Sequence, residues 1–135
     1  MQTFLPVPDF GESARLLDYR RLGKQRLECS QMIKALEAGG GWSSHPAVHM
    51  WTGYVPALKL YMDAMVVEWK RRGYKNSYPM NYPEVIHDPE AIGDASLLES
   101  IGGMPMPPWL GDEEFHSSHR RALLLKNDYY DQFDW

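Results

Sequence analysis

Pro56-Ala57-Leu58-Lys59-Leu60-Tyr61-Met62-Asp63-Ala64-Met65-Val66-Val67-Glu68-Trp69-Lys70-Arg71-Arg72, followed by Gly73, is the stretch whose reading decides the fold. Leu58, Tyr61, Met62, Met65 and Trp69 recur at helical spacing and so share one face. Pro56 suits a first turn, and Gly73 suits the residue just past the end. Lys59 and Asp63 stand one turn apart as an opposite-charge pair, and the cations at 70–72 complement the negative end of the helix dipole. The spacing predicts an amphipathic helix over residues 56–72, which must bury its apolar face against other elements.

Upstream, Ser44 followed by Pro46 reads as a cap and a first-turn proline, opening a short helix that ends near Gly53. Before it, Leu22, Cys29, Met32, Ile33 and Leu36 form an apolar stripe on a helix starting near Leu22 or Gly23. It ends near Ala38, where three glycines follow. Asp9 with Glu12 marks the start of a short helix over about 10–17. The opening residues, Thr3 to Pro8, carry two prolines and read as extended.

Downstream, residues 74–110 are broken by proline throughout and read as a surface excursion with at most a short helix around 94–101. Asp112 then caps a last helix over 113–126, with Phe115, His119 and Ala122 on one side and Leu123-Leu124-Leu125 inside it. The tail, residues 129–135, is aromatic and acidic. The expected fold is all-α: a compact single domain over residues 1–135, a bundle of about four to six helices with an extended N-terminal segment.

Composition bounds the function. The 135 residues are 44% hydrophobic and 24% charged, ordinary globular usage. The single cysteine, Cys29, excludes an intramolecular disulfide and fits a reducing compartment, so the expected location is cytoplasmic. No apolar run approaches the ~18 residues of a membrane span, and no membrane partner is expected. The net charge of −4 argues against a phosphate polymer as partner, because cations supply most nonspecific DNA affinity. Yet nine of the 14 cations fall in three groups: Arg20, Arg21, Lys24 and Arg26; Lys70, Arg71 and Arg72; Arg120 and Arg121. A basic face on an acidic molecule is one reading, and three solvated helix faces is the other.

The run Arg20-Arg21-Leu22-Gly23-Lys24-Gln25-Arg26-Leu27-Glu28 is the richest in chemistry. Arg21, Lys24 and Glu28 share a helix face opposite the apolar stripe, so a partly exposed carboxylate stands among cations that can bind phosphates flanking a reacting sugar. An ordinary Lys-Glu pair on a solvated helix has the same spacing. His45 with His49, and His116 with His119, each present two imidazoles, but no glutamate or cysteine stands at a zinc-motif spacing and no metal is expected. Trp51, Tyr54, Trp69 and Trp109 suit base stacking or, more often, a core. Cys29, on the apolar stripe, reads as packing.

Several short motifs occur in order: Thr3-Phe4-Leu5-Pro6 with Pro8-Asp9-Phe10, Arg21-Leu22-Gly23-Lys24-Gln25-Arg26 with Glu28, His45-Pro46-Ala47-Val48 with Met50-Trp51 and Gly53-Tyr54, Arg72-Gly73-Tyr74, and Trp109-Leu110-Gly111-Asp112-Glu113 with Phe115-His116 and Ser118-His119-Arg120. Together they resemble the pyrimidine-dimer DNA glycosylase (endonuclease V) family, over most of the chain except the proline-rich excursion. The resemblance implies a DNA N-glycosylase with an AP-lyase step, acting on damaged or modified pyrimidines in duplex DNA without metal or organic cofactor. In that family an N-terminal amine attacks the sugar C1′, a glutamate assists, and the resulting imine permits strand elimination. An α-amine, with a reference pKa of ~7.7–8.0 against ~10.4 for lysine, is suited to that attack near neutrality.

Carried onto this chain, the amine is Met1's, because the bulky Gln2 blocks removal of the initiator. Arg20 matches a family arginine, Arg21 stands where the family has its glutamate, and Glu28 is the nearest replacement carboxylate. Arg20, Arg21, Lys24, Arg26 and Arg120 would hold phosphates, with Arg121 the alternative match for the last, and His45 would line a nucleotide pocket. Two other readings stay open: a non-catalytic DNA- or partner-binding module on the same fold, and a histidine-based metal-dependent hydrolase.

Overall fold

The computed structural model describes residues 2–39, 44–83 and 104–135. They form α1 (Phe10–Leu16), α2 (Tyr19–Ala38), α3 (Pro46–His49), α4 (Val55–Arg71), α5 (Glu113–Lys126) and a closing 3-10 helix (Asp128–Gln132), with no strand among the described residues. The fold is all-α as expected. Met1 and the short helix expected around 94–101 lie outside the described residues.

α4 is the centre of the bundle, packed against both α1 and α2. Leu58, Tyr61 and Met65 on it are fully buried, as the spacing predicts, and so are Ala57 and Val66. Each large apolar side chain of this kind contributes roughly 1.5–3 kcal/mol by leaving water. The expected Lys59–Asp63 pair is absent. Lys59 Nζ lies 2.8 Å from Glu37 Oε1 on α2 instead. Asp63 is fully buried and accepts from the main-chain N–H groups of Asn81 and Tyr82, at 2.7 and 2.8 Å. Burial raises its carboxyl above the ordinary value, against the lowering effect of these bonds.

α2 begins three residues before the expected Leu22, and the cause is tertiary. Asp18, at its N-cap, makes no side-chain capping bond. Its main-chain N–H donates to Tyr130 Oη at 3.0 Å, and its carboxylate accepts from the same hydroxyl at 2.5 Å. The aromatic, acidic tail thus fixes the start of α2 through the fully buried Tyr130. Farther along, Gly23 lets α2 approach α4 closely: a Cβ there would stand 2.9 Å from Trp69 Cζ3.

α5 matches its expected bounds and is capped by Asp112, whose carboxylate accepts from Glu114 N. Its buried face is His116, His119 and Leu123, turned slightly from the face expected through Phe115 and Ala122. The leucine run splits accordingly, with Leu123 fully buried and Leu125 89% exposed.

Candidate active site

The extended start of the chain determines the site. Thr3 and Leu5 are fully buried and Phe4 nearly so, in a segment with no helix or sheet of its own. Buried backbone polar groups must find partners, and here side chains from the surrounding helices supply them. From α2, Gln25 Nε2 donates to Gln2 O at 2.5 Å, and Gln25 Oε1 accepts from Phe4 N at 2.8 Å. From α4, the Tyr61 hydroxyl lies 2.6 Å from Phe4 O. Trp51, beyond α3, donates its indole N–H to Thr3 Oγ1 at 3.2 Å.

From α5, His119 Nδ1 accepts from Leu5 N at 2.9 Å, His116 Nδ1 lies 2.8 Å from Leu5 O, and Arg120 Nη1 donates to Pro6 O at 2.7 Å. His116 Nε2 accepts from Gly111 N, so Nδ1 carries the proton and donates to Leu5 O. Burial, with His116 adding to it, depresses His119 to a pKa of about 4, so this imidazole is neutral at pH 7.

At the outer end of the segment, Gln2 N donates to Glu28 Oε2 at 2.9 Å. Glu28 is therefore less open than expected. It is 9% exposed, because residue 2 lies over it and Gln25 Nε2 stands 3.4 Å away. Its other oxygen is 3.7 Å from Lys24 Nζ, a side chain that is 71% exposed. Gln2, Lys24 and Glu28 line a cavity of about 570 Å³ together with Arg20, Arg21 and Lys126. Arg21 also pairs with Asp18 at 3.2 Å, and Arg20 donates to Tyr19 Oη at 3.0 Å. Burial alone would raise the Asp18 carboxyl, but its bonds from Tyr130 and Arg21 outweigh this and hold it below its ordinary value. A second cavity, of about 330 Å³, is lined by Gln2, His45, Pro46, Met50 and His119. Gln2 borders both.

The structure thus brings Arg20, Arg21, Lys24 and Glu28 together, and sets His45 at the second cavity, where it also caps α3 by accepting from Ala47 N at 3.2 Å. Met1, outside the described residues, precedes Gln2 in sequence. Arg26 is elsewhere: its guanidinium lies 4.1 Å from the Trp69 ring centre and donates to Asn76 Oδ1 at 2.8 Å, and burial lowers its pKa. Arg120 braces Pro6 and pairs with Glu113. Arg121 is exposed and donates to Ser117 Oγ.

In the second basic group, at the end of α4, the two arginines are committed to a buried carboxylate. Both oxygens of the buried Glu68 are taken by Arg71 and Arg72, at 2.6 and 2.7 Å, and Arg72 also donates to the carbonyls of Ala14, Arg15 and Leu17 at the C-terminal end of α1. The aromatic candidates serve packing: Trp51 is fully buried, Trp69 donates to Lys75 O, and Trp109 to Met50 O. Cys29 is fully buried, and burial pushes its thiol well above the ordinary range. His116 and His119 use ring nitrogens on the Leu5 main chain, and among the described residues no three His, Cys, Asp or Glu side chains converge as a metal site requires. Among the same residues no helix is long and apolar enough to cross a membrane.

Gln25 and Tyr61 were missed as site residues by reasoning from sequence. The available signal was position: Gln25 lies on the α2 stripe between Leu22 and Cys29, where an unexplained polar residue asks for a buried partner.

Comparison with known proteins adds one match. The model of the pyrimidine dimer DNA glycosylase family matches residues 1–82, which include the N-terminal segment and α1 to α4. Neither the curated proteins nor the solved structures give a significant match.

Proposed function

Since the chain belongs to the pyrimidine dimer DNA glycosylase family, we propose that it releases a damaged or modified pyrimidine from duplex DNA with an N-terminal amine, and then cleaves the strand as an AP lyase. The observation that carries this reading is the 2.9 Å hydrogen bond from Gln2 N to Glu28 at the edge of the basic cavity. It ties the main chain of residue 2, the neighbour of Met1 in sequence, to a carboxylate.

In this mechanism the neutral amine of Met1 bonds to C1′ as the bond from C1′ to the base breaks, and the base leaves with a proton. The C1′–O4′ bond then breaks as O4′ takes a proton from water and becomes a hydroxyl, giving a cationic imine that the Glu28 carboxylate stabilises and orients. Loss of a proton from C2′ then expels the 3′ phosphate. Arg20, Arg21 and Lys24 hold the flanking phosphates, and His45 borders space for a nucleotide. The target base leaves the stack most cheaply where a lesion already weakens stacking and pairing. We propose that residues 1–135 act as a single domain.

Borohydride trapping on abasic and dimer-containing duplexes tests the reading. The expected result is a covalent adduct mapping to the peptide that begins at Met1, with base release reduced ~10²–10⁴-fold in Glu28→Gln. Tight duplex binding with no adduct from either substrate would replace it with a non-catalytic DNA-binding module.

A further inference from the structure

We propose that Gln25 and Tyr61 clamp the main chain of residues 2–4 and act as positioning residues for the reaction, setting where the N-terminus ends relative to Glu28. This rests on the glycosylase reading above. Neither residue lines the cavity of Arg20, Arg21 and Lys24, so any effect on the chemistry passes through the strand.

The geometry is that of a register lock. Gln25 is 1% exposed, and an amide in that environment is tolerated only when its donors and acceptor are used. Its Nε2 takes Gln2 O at 2.5 Å and its Oε1 takes Phe4 N at 2.8 Å. Tyr61 Oη sits 2.7 Å from the same Oε1 and 2.6 Å from Phe4 O, so one proton serves both oxygens in turn. Three backbone groups of alternate residues, Gln2 O, Phe4 N and Phe4 O, are therefore recognised by two side chains from different helices. Successive residues of an extended chain point their polar groups to opposite sides, so a slip of one residue presents the wrong groups to this clamp.

Such a slip would also move the terminus by ~3.3 Å. Reaction rates fall about 100-fold for a misplacement of ~1 Å, so a terminus that slid freely would not meet C1′ productively. Gln25 adds a second link. The nitrogen that holds Gln2 O stands 3.4 Å from Glu28 Oε2, so one amide refers both the strand and the carboxylate to the same point.

Two variants of the full chain test the clamp. Tyr61→Phe removes one hydroxyl and keeps the ring. Gln25→Glu keeps the shape but turns the donor facing Gln2 O and Glu28 into an acceptor. Amide hydrogen exchange by NMR should show Gln2 and Phe4 protected in the unmodified chain and exchanging about tenfold faster in both variants. The single-turnover rate of adduct formation should fall about 100-fold while the Kd for duplex DNA changes less than about threefold, a split that a purely stabilising role would not produce.

Unchanged exchange in Tyr61→Phe overturns the clamp, and so does faster exchange with an unchanged rate. Should Gln25→Glu fail to fold, Tyr61→Phe decides alone. Should the unmodified chain trap no adduct, the glycosylase reading fails by itself, while the exchange measurement still decides whether this pair fixes the register of residues 2–4.

Discussion

The first half of α2 and the last turn of α4 carry the same kind of sequence, clustered arginine and lysine followed or preceded by one glutamate, and the fold uses them in opposite ways. On α4 the carboxylate of Glu68 is buried and both its oxygens are consumed by Arg71 and Arg72, while Arg72 goes on to bind three carbonyls at the C-terminal end of α1. On α2, Arg20, Arg21 and Lys24 face a cavity of about 570 Å³, and Glu28 meets only Lys24 among them, at 3.7 Å. A guanidinium already committed to a buried carboxylate has little to offer a phosphate, whereas an ammonium that is 71% exposed does. Charge runs thus acquire a function from how fully the cations are taken up by the carboxylate beside them.

The largest effect expected from this contrast is on stability. Glu68→Ala removes the shared partner of Arg71 and Arg72 and with it three charge-assisted hydrogen bonds, so it should cost about 3–4 kcal/mol in chemical denaturation. Glu28→Gln keeps an acceptor for Gln2 N and should cost only ~0.5 kcal/mol. Comparable losses in the two variants would erase the distinction between the structural and the open cluster.

Acid should separate the two regions next. The strand that roofs the α2 site is held by neutral imidazole: His119 has a pKa of about 4 when folded, against 6.5 ordinarily. The unfolded chain therefore binds the proton first, and stability from this group, complete above pH 6.5, is lost as the pH falls to about 4. The full loss is roughly 3 kcal/mol, from 1.36 kcal/mol per pKa unit. Glu68 behaves differently. Burial raises its pKa, but Arg71 and Arg72 outweigh burial and lower it below 4.5, so its contribution begins to fall only near that pH and is lost below it. Denaturation midpoints at pH 7, 5.5 and 4 should drop more steeply in the unmodified chain than in His119→Gln, and parallel curves would show that His119 does not carry the proton linkage.

The contrast also marks what could be read in advance. The helices were legible because Leu58, Tyr61 and Met65, or Leu22, Cys29 and Met32, repeat with the period of an α-helix, and α5 was bounded correctly by Asp112. The grouping of Arg21, Lys24 and Glu28 was legible for the same reason, since a helix places such residues on one side. What periodicity cannot supply is the partner across the bundle. Asp63 found Asn81 and Tyr82 rather than Lys59, Asp18 found Tyr130 from the far end of the chain, and Arg26, two residues beyond Lys24, turned to the opposite side onto Trp69. The strand at residues 2–6 shows the limit most clearly. Its proline content signalled an extended segment, yet its bonds come from α2, α4 and α5, at separations in sequence that no local pattern encodes.

Salt dependence gives the smallest and most discriminating effect. Each phosphate neutralised by a side-chain cation releases condensed counterions, so the slope of log Kd against log salt changes by ~0.9 for every phosphate left without its cation. Arg21 borders the cavity, pairs with Asp18 and is 23% exposed. Arg21→Ala should therefore reduce the slope by about 0.9, and Lys24→Ala should do the same. Arg71 is 53% exposed, more open than Arg21, and a reading by exposure would rank it as the better phosphate ligand. Its two bonds to Glu68, both at 2.6 Å, predict the reverse. Arg71→Ala should leave the slope unchanged while lowering stability, because the charge removed was already balanced inside the fold. Fluorescence titrations of a duplex at several salt concentrations resolve differences of this size. A slope that fell for Arg71→Ala but held for Arg21→Ala would move the DNA interface from the α2 cavity to the end of α4, and with it the reason for assigning Glu28 a part in the reaction.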